Sequence, residues 1–129
     1  MDKVSVIGAG LAGSEAAWQL AKRGVNVSIF EMRPQKNTPA HKTDKFAEIV
    51  CSNSFGANDI SSSAGILKHE LKLFDSLIMK CAEDSQVPAG KALAIDRDIF
   101  SSLVTEHLTS MPNIEIKNIP VDEIGRAHV

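Results

Sequence analysis

The sequence predicts an α/β fold with an open, mostly parallel sheet. Three observations near the amino end support this prediction: an apolar run rich in β-branched residues, a glycine-rich turn directly after it, and a helical pattern leading to a second apolar run. The turn has the spacing G-x-G-x-x-G, and an acidic residue follows the second run. This order is typical of a parallel strand–helix–strand unit that binds a nucleotide.

The first three elements follow from local patterns. Residues 4–7 are apolar and largely β-branched, which predicts a buried strand. Residues 14–23 carry small and apolar side chains at helical spacing, and Gly24 ends this predicted helix. Residues 25–30 predict a second strand, with Glu31 at its carboxyl end.

The glycine-rich turn has a mechanical explanation. Gly8 permits a tight turn after the strand, Gly10 removes a Cβ that would block a pyrophosphate, and Gly13 lets the helix pack closely on the strands. The pyrophosphate would lie at the amino end of the helix, where backbone N–H groups point outward. We expect Glu31 to accept hydrogen bonds from adenosine ribose hydroxyls and to repel a 2′-phosphate. The candidate cofactor-binding residues are Gly8, Ala9, Gly10, Leu11, Ala12, Gly13 and Glu31.

This motif does not separate FAD from NAD, because both cofactors carry the same ADP half. A glycine-rich turn that binds nothing is the alternative interpretation. The flanking strands, the helix and the acid together favour nucleotide binding over that alternative.

Residues 32–63 show little periodicity and predict a long loop, which is either functional or disordered. Within it, four basic residues and one histidine stand against one acid; they are Arg33, Lys36, His41, Lys42 and Lys45, against Asp44. Such a segment either meets the phosphates of RNA, a cofactor or a polyanionic substrate, or is simply a solvated loop. The composition does not decide between these two interpretations.

Residues 64–84 predict a single helix with one apolar stripe, formed by Leu67, Leu71, Phe74, Ile78 and Cys81. We expect Cys81 to be a buried structural residue and His69, off the stripe, to be solvated. Residues 92–95 predict a short extended segment. A helix then opens at residues 96–98 and runs to about Ser110, and residues 114–119 predict a further strand.

Composition excludes several classes of protein. The 129 residues suit one domain, and 14 basic against 16 acidic side chains give a net charge of −2, unlike a dedicated nucleic-acid binder. No run approaches the roughly 18 apolar residues that span a bilayer. The pattern of a first strand beginning within three residues leads us to expect a protein that is not exported. Two cysteines are too few for a disulfide scaffold and suggest a reducing cytoplasm. No cluster of metal ligands surrounds Cys51, so we expect no metal site.

Cys51 is the candidate catalytic residue. It ends an apolar run in the stretch AEIVCSNSF and is followed by polar residues. A loop cysteine acts as a nucleophile when its pKa is lowered, and His41, Lys42 and Lys45 are the nearby candidates for lowering it. The alternative is a loop cysteine partly buried against the preceding segment. The residues alone leave both interpretations open.

Longer stretches carry a family resemblance. The amino-terminal VSVIGAGLAGSEAAWQLAKRGVNVSIFEMRP and the following TPAHKTDKFAEIVCSNSF resemble the folate- and FAD-dependent tRNA (uracil-5-)-methyltransferase family. GILKHELKLFDSLIM, VPAGKALAIDRDIFS and MPNIEIKN continue the resemblance in order, so that it covers residues 2–123. The family is related to the large flavoproteins that modify the tRNA wobble uridine.

The resemblance implies a Rossmann-like FAD-binding domain of the α/β class, with an inserted loop and helix segment and with its carboxyl part missing. It implies that Gly8, Gly10, Gly13 and Glu31 contact FAD. It further implies cytoplasmic enzymes that convert the T-loop uridine of tRNA to 5-methyluridine. The carbon comes from 5,10-methylenetetrahydrofolate, and NADPH or NADH recharges the flavin. Cys51 matches the family cysteine that either adds to C6 of uracil or protects a reactive flavin-bound methylene.

Two alternative functions remain open, and one domain boundary is predicted, after residue 123. The rivals are a related flavoprotein that modifies the wobble uridine and a dinucleotide-binding module without chemistry. Residues 1–123 are expected to be the amino-terminal part of the FAD-binding domain. Residues 124–129 match one reading frame of a widely used sequencing adapter (ATC GGA AGA GCA CAC GTC) and are expected to be a non-native tail. As a fragment, the chain is expected to bind FAD weakly or not at all, and not to methylate tRNA by itself.

Overall fold

The computed structural model describes residues 2–122, which form six strands and four helices. The elements are β1 (Lys3–Ile7), α1 (Leu11–Lys22), β2 (Asn26–Phe30), β3 (Ser54–Ala57), α2 (Ser63–Leu73), α3 (Leu77–Asp84), β4 (Gln86–Val87), β5 (Ala92–Ile95), α4 (Arg97–Thr109) and β6 (Ile114–Lys117). Within this part of the chain, no helix is both long and apolar enough to cross a membrane. The strands form two separate sheets.

The first sheet is parallel and has the order β1-β2-β6. Val27 of β2 pairs with Val4 on one side and with Ile114 on the other. The middle strand is buried, with Val27 and Ile29 fully inaccessible to solvent. The α/β class with a parallel sheet is therefore confirmed, and β1, α1 and β2 form the predicted strand–helix–strand unit.

The prediction that the first strand is buried is wrong for the described part of the chain. β1 is the outermost strand of its sheet, and Val4 and Ile7 are 37% and 46% exposed. An apolar, β-branched run indicates a strand, but it does not indicate whether that strand is central or at an edge.

The second sheet is antiparallel and small, with the order β3-β5-β4. β5 matches the predicted extended segment, and its Leu93 and Ile95 are buried. β3 lies within the stretch predicted to be an irregular loop. It escaped prediction because it has only four residues, includes Gly56 at a φ of 81°, and shifts register against β5 between its two paired residues.

The single helix predicted for residues 64–84 is two helices, α2 and α3. The chain turns between them at Asp75, whose φ is 57°, and Ser76 caps α3 by accepting a hydrogen bond from the amide of Met79 at 3.2 Å. The apolar stripe therefore does not face one core, and Phe74 is 66% exposed. The helical spacing was correct within each helix, but it did not reveal the cap that separates them.

The core lies between β2 and the helices α1, α3 and α4. Small residues of α1, Ala17 and Ala21, belong to the same buried cluster as Cys81, Val104 and Leu108. The predicted helix start is confirmed, because Asp96 accepts hydrogen bonds from the first amides of α4. Asn113 joins the layers, since its side-chain amide donates to the carbonyls of Ala21 and Val25, each at 2.9 Å.

Replacing Gly13 by alanine tests the close packing of α1 on the sheet. A Cβ at this position would lie 1.9 Å from the Gly8 carbonyl oxygen, a backbone atom that cannot move aside freely. We expect G13A to lower the free energy of unfolding by about 1–3 kcal/mol or more in urea denaturation.

The matched control is G10A, because a Cβ at Gly10 meets nothing within 4 Å. Its free energy of unfolding should change by no more than about 1 kcal/mol. Equal stability of the two variants would contradict the packing role of Gly13.

Candidate functional site

The glycine-rich turn adopts the geometry that its sequence predicts. Gly8 has a φ of 91°, which favours glycine, and its amide donates to the Phe30 carbonyl at 2.7 Å. Gly10 is the residue before α1, and the space where its Cβ would project is open. Gly13 is in backbone contact with Gly8, as its predicted packing role requires. The amino end of α1 therefore presents its unpaired amides beside an accessible backbone surface.

A cavity of about 290 Å³ lies beside this turn. Its lining combines residues 7–10, residues 30–33 and three residues from later segments, which are His41, Ile119 and Val121. The structure thus brings Gly8, Ala9, Gly10 and Glu31 together around one cavity. Leu11 and Ala12 lie outside its lining, exposed on the first turn of α1.

Glu31 is buried and fully engaged with the protein. Its Oε2 accepts the Ala9 amide at 3.0 Å, and its Oε1 accepts the Arg33 amide at 3.2 Å and the Arg33 Nε at 3.1 Å. Burial raises the pKa of this carboxyl, but hydrogen bonds from the Arg33 side chain and from the amides of Arg33 and Ala9 outweigh burial. The pKa of Glu31 is consequently below its ordinary value.

Arg33 does not belong to a basic surface, contrary to its grouping with the loop lysines. It is only 3% exposed and pairs with two carboxylates, Glu31 and Glu48, each at 3.1 Å. Its Nη1 also donates to the Thr43 carbonyl at 3.0 Å. Sequence reasoning missed the roles of Arg33 and Glu48 because pairing across fifteen residues depends on the path of the loop.

Cys51 is exposed in a bend, so the alternative of a partly buried loop cysteine is wrong. Two of the candidate neighbours for lowering its pKa have other partners. Lys45 donates to the Ser102 hydroxyl at 2.8 Å, and the His41 Nδ1 lies 2.5 Å from the Thr38 hydroxyl. Hydrogen bonds therefore hold these two side chains to Ser102 and Thr38.

The loop before Cys51 is held firmly despite its lack of periodicity. The Ala47 amide donates to the Ala9 carbonyl at 2.8 Å, and the Phe46 amide donates to the Thr105 hydroxyl at 2.8 Å. Phe46 and Ala47 are both buried. The loop is thereby bonded to the glycine-rich turn and to α4. These bonds fix the position of residues 46 and 47, which precede Cys51.

Cys81 is structural, as predicted. It is completely buried on α3, and burial, with a smaller contribution from Asp84, raises the pKa of its thiol to about 12. His69 is exposed, also as predicted. Within residues 2–122, no group of three or more His, Cys, Asp and Glu side chains is arranged to hold a metal ion.

The parallel strand–helix–strand unit, its glycine-rich turn and the buried acid at the end of β2 define the class: an α/β nucleotide-binding domain. The chain belongs to the family described as glucose inhibited division protein A, whose model matches residues 3–128. Its fold is similar to that of Aquifex aeolicus GidA, with a TM-score of 0.69 and 18% identity over 91% of this chain and 19% of that chain. At that identity the likeness shows the fold alone.

Curated relatives are much more similar in sequence. The chain is 58% identical over 123 residues to the methylenetetrahydrofolate--tRNA-(uracil-5-)-methyltransferase TrmFO of Lactobacillus johnsonii, covering 95% of this chain and 28% of that protein. It is 59% identical over 126 residues to the enzyme of the same name from Lactobacillus gasseri, covering 94% and 29%. The family resemblance is confirmed, and the chain spans less than a third of the length of these relatives.

The lowered pKa of Glu31 makes a prediction about acid stability. A carboxyl whose pKa is depressed by folding contributes stability that is fully present above its ordinary value of 4.5 and is lost as the pH falls through the folded value. We expect E31Q to remove this pH-dependent contribution to the free energy of unfolding. The free energy of unfolding of the variant should therefore depend less steeply on pH below about pH 5 than that of the wild type.

Urea denaturation across this pH range measures the effect. D44N, which removes an exposed carboxylate from the following loop, should keep the wild-type slope. A wild-type slope in E31Q would contradict the ionised, hydrogen-bonded state of Glu31.

The two thiols are expected to differ sharply in reactivity. Iodoacetamide at about pH 8 should modify Cys51 in the folded chain and Cys81 only after unfolding, because Cys81 is buried and its pKa is about 12. Mass spectrometry of timed samples measures both rates. C51A should leave no rapidly modified thiol and C81A should leave one, whereas equal rates at the two cysteines would contradict the placement of Cys81.

Proposed function

We propose that this chain is the nucleotide-binding part of a flavoenzyme that methylates the T-loop uridine of tRNA to 5-methyluridine. The carbon donor is 5,10-methylenetetrahydrofolate, and reduced FAD, recharged by NADPH or NADH, supplies the electrons. One observation carries the proposal: 58% identity over 95% of the chain to an enzyme whose name states this donor, this RNA class and this base carbon.

FAD suits the cavity beside the glycine-rich turn. The open space beside Gly10 accommodates a diphosphate, and the amides at the start of α1 favour its negative charge. The cavity extends from this turn to Glu31, as an ADP moiety requires. We propose Gly8, Ala9, Gly10, Leu11, Ala12, Gly13 and Glu31 as the FAD contacts of this chain.

Hydrogen-bond accounting refines the role of Glu31. A carboxylate offers about four acceptor positions, and Glu31 already receives one bond from Ala9 and three from Arg33. The longest of these runs from the Arg33 Nη2 to Oε2, at 3.3 Å. A ribose hydroxyl would therefore bind Glu31 by sharing or replacing this contact, while the other three hold the carboxylate in place.

Cys51 is the proposed nucleophile. Its thiolate sulfur would bond to C6 of the uracil, and the C5–C6 electron pair would shift toward C5 and the neighbouring carbonyl oxygen. C5 would then attack the methylene carbon, whose bond to the folate nitrogen breaks. Electrons from reduced FAD would convert the methylene to a methyl group, and loss of the C5 proton with departure of the Cys51 sulfur would restore the C5–C6 double bond. Because Cys51 is exposed, a uracil can approach its sulfur. The backbone bonds of Phe46 and Ala47 hold the preceding part of the loop beside the proposed nucleotide site.

The remaining expectations are proposals about the complete protein. tRNA and the folate donor are its proposed substrates, and the cytoplasm is its proposed location. We propose residues 1–123 as the amino-terminal part of the FAD-binding domain. The proposed non-native tail, residues 124–129, lies outside the described residues, and re-amplifying the genomic locus tests it. A native stop codon directly after Val129 would contradict that tail.

Cys51→Ala in the complete protein tests the function. The purified wild type should be yellow and should methylate unmodified tRNA when given methylenetetrahydrofolate and a reduced pyridine nucleotide. C51A should retain bound flavin and lose methyl transfer by at least about a hundredfold, because the uracil is no longer activated. Transfer of labelled carbon to tRNA and the flavin absorbance measure the two properties.

C81A is the matched control, since it removes a buried thiol that we place outside the chemistry. It should keep methyl transfer under conditions where it remains folded. Full activity in C51A would remove Cys51 from the mechanism. A colourless complete protein that takes up no FAD would contradict the flavoenzyme, and a yellow protein inactive on T-loop uridine would favour a rival function.

A further inference from the structure

Three charged side chains, Glu31, Arg33 and Glu48, form a buried group that we call the Arg33 cluster. Their side chains are 6%, 3% and 12% exposed. One guanidinium contacts both carboxylates, through Nε to Glu31 and through Nη1 to Glu48, each at 3.1 Å. Charges removed from water persist only when they are closely paired, so this arrangement constrains every side chain in it.

The Arg33 cluster joins two parts of the molecule that are separate in sequence. Glu31 directly follows β2 and accepts a hydrogen bond from the Ala9 amide of the glycine-rich turn. Glu48 closes the following loop, because its Oε1 accepts the amides of Lys42 and Thr43, each at 3.0 Å. Arg33 therefore fixes the closed loop against the nucleotide end of the sheet.

A second connection runs in parallel through the Ala9 peptide. The amide of Ala9 donates to Glu31, and its carbonyl accepts the Ala47 amide at 2.8 Å. Ala47 adopts a φ of 52°, which is unfavourable for alanine and persists only where surrounding contacts impose it. Glu48 is therefore fixed twice, through its own ion pair with Arg33 and through the backbone bond of the preceding Ala47. Cys51 follows three residues after Glu48.

We infer that Arg33 is a positioning residue that sets the location of Cys51 relative to the nucleotide site. This inference rests on the proposed function, in which the Cys51 sulfur and the cofactor act on one uracil. The planar fork of arginine is needed, because it donates in different directions to Glu31, Glu48 and the Thr43 carbonyl at once. A lysine ammonium has the same charge but cannot reproduce this geometry.

The test uses E48Q and R33K in the complete protein, with D44N as the matched control. E48Q keeps the shape of the side chain but removes the charge that Arg33 contacts. D44N makes the same chemical change at an exposed position of the same loop. Four quantities are measured: the ratio of bound FAD to protein, kcat for methyl transfer, KM for tRNA, and the rate at which iodoacetamide modifies Cys51.

Displacement of Cys51 should lower kcat roughly tenfold to a hundredfold in both E48Q and R33K. In E48Q, bound FAD and KM should stay within about twofold of the wild type, because Glu48 does not line the cavity and Glu31 keeps its bonds from Ala9 and Arg33. The rate of Cys51 modification should change at least about threefold, as expected for an altered loop. D44N should match the wild type in all four measurements.

Two results would overturn the inference. In the first, E48Q keeps kcat and the Cys51 modification rate; in the second, kcat falls only in proportion to lost FAD, which indicates a merely structural role. If R33K does not fold, E48Q decides alone. If the complete wild-type protein does not transfer methyl groups, the proposed function is wrong. An altered Cys51 modification rate in the E48Q variant of the 129-residue chain would still show that the Arg33 cluster controls this thiol.

Discussion

The Glu31 carboxylate joins the end of β2 to the glycine-rich turn by accepting the Ala9 amide at 3.0 Å. The same carboxylate binds Arg33, and Arg33 binds Glu48, so one acid holds both the glycine-rich turn and the loop that follows β2. The two carboxylates and the guanidinium are largely buried. Electrostatic attraction is weakly screened there, and an unpaired charge is costly. The local structure therefore depends on all three charges remaining together.

The long segment between β2 and β3 shows how polar contacts can order a chain that has no periodicity. Phe46 and Ala47 are buried in the core and Ile49 packs against it. The amides of Phe46 and Ala47 donate to α4 and to the glycine-rich turn, and Glu48 accepts the amides of Lys42 and Thr43 within the segment. Such bonds act at single positions, so the segment needs no strand or helix of its own. Cys51 lies just beyond the last of these fixed residues, exposed to solvent.

The two cysteines illustrate how environment assigns chemistry to identical side chains. Cys81 lies in a helix whose inner face packs in the core, and burial raises its pKa to about 12, which keeps it an inert thiol. Cys51 lies on a loop, accessible to a reactant. The proposed assignment of nucleophile and structural residue follows from this contrast in burial together with the similarity to the curated methyltransferases.

By itself, the sequence determined the features that short-range rules control. The glycine-rich turn, the parallel unit, the start of a helix at residues 96–98 and the burial of Cys81 were predicted because each depends on neighbours within a few residues or on one helix face. The tertiary structure alone decided that β1 is an outer strand, that Ser76 divides the apolar stripe into two helices, and that Arg33 is a buried ion-pair partner. Those properties depend on which surfaces and distant charges meet once the chain has folded, and no local pattern of residues contains that information.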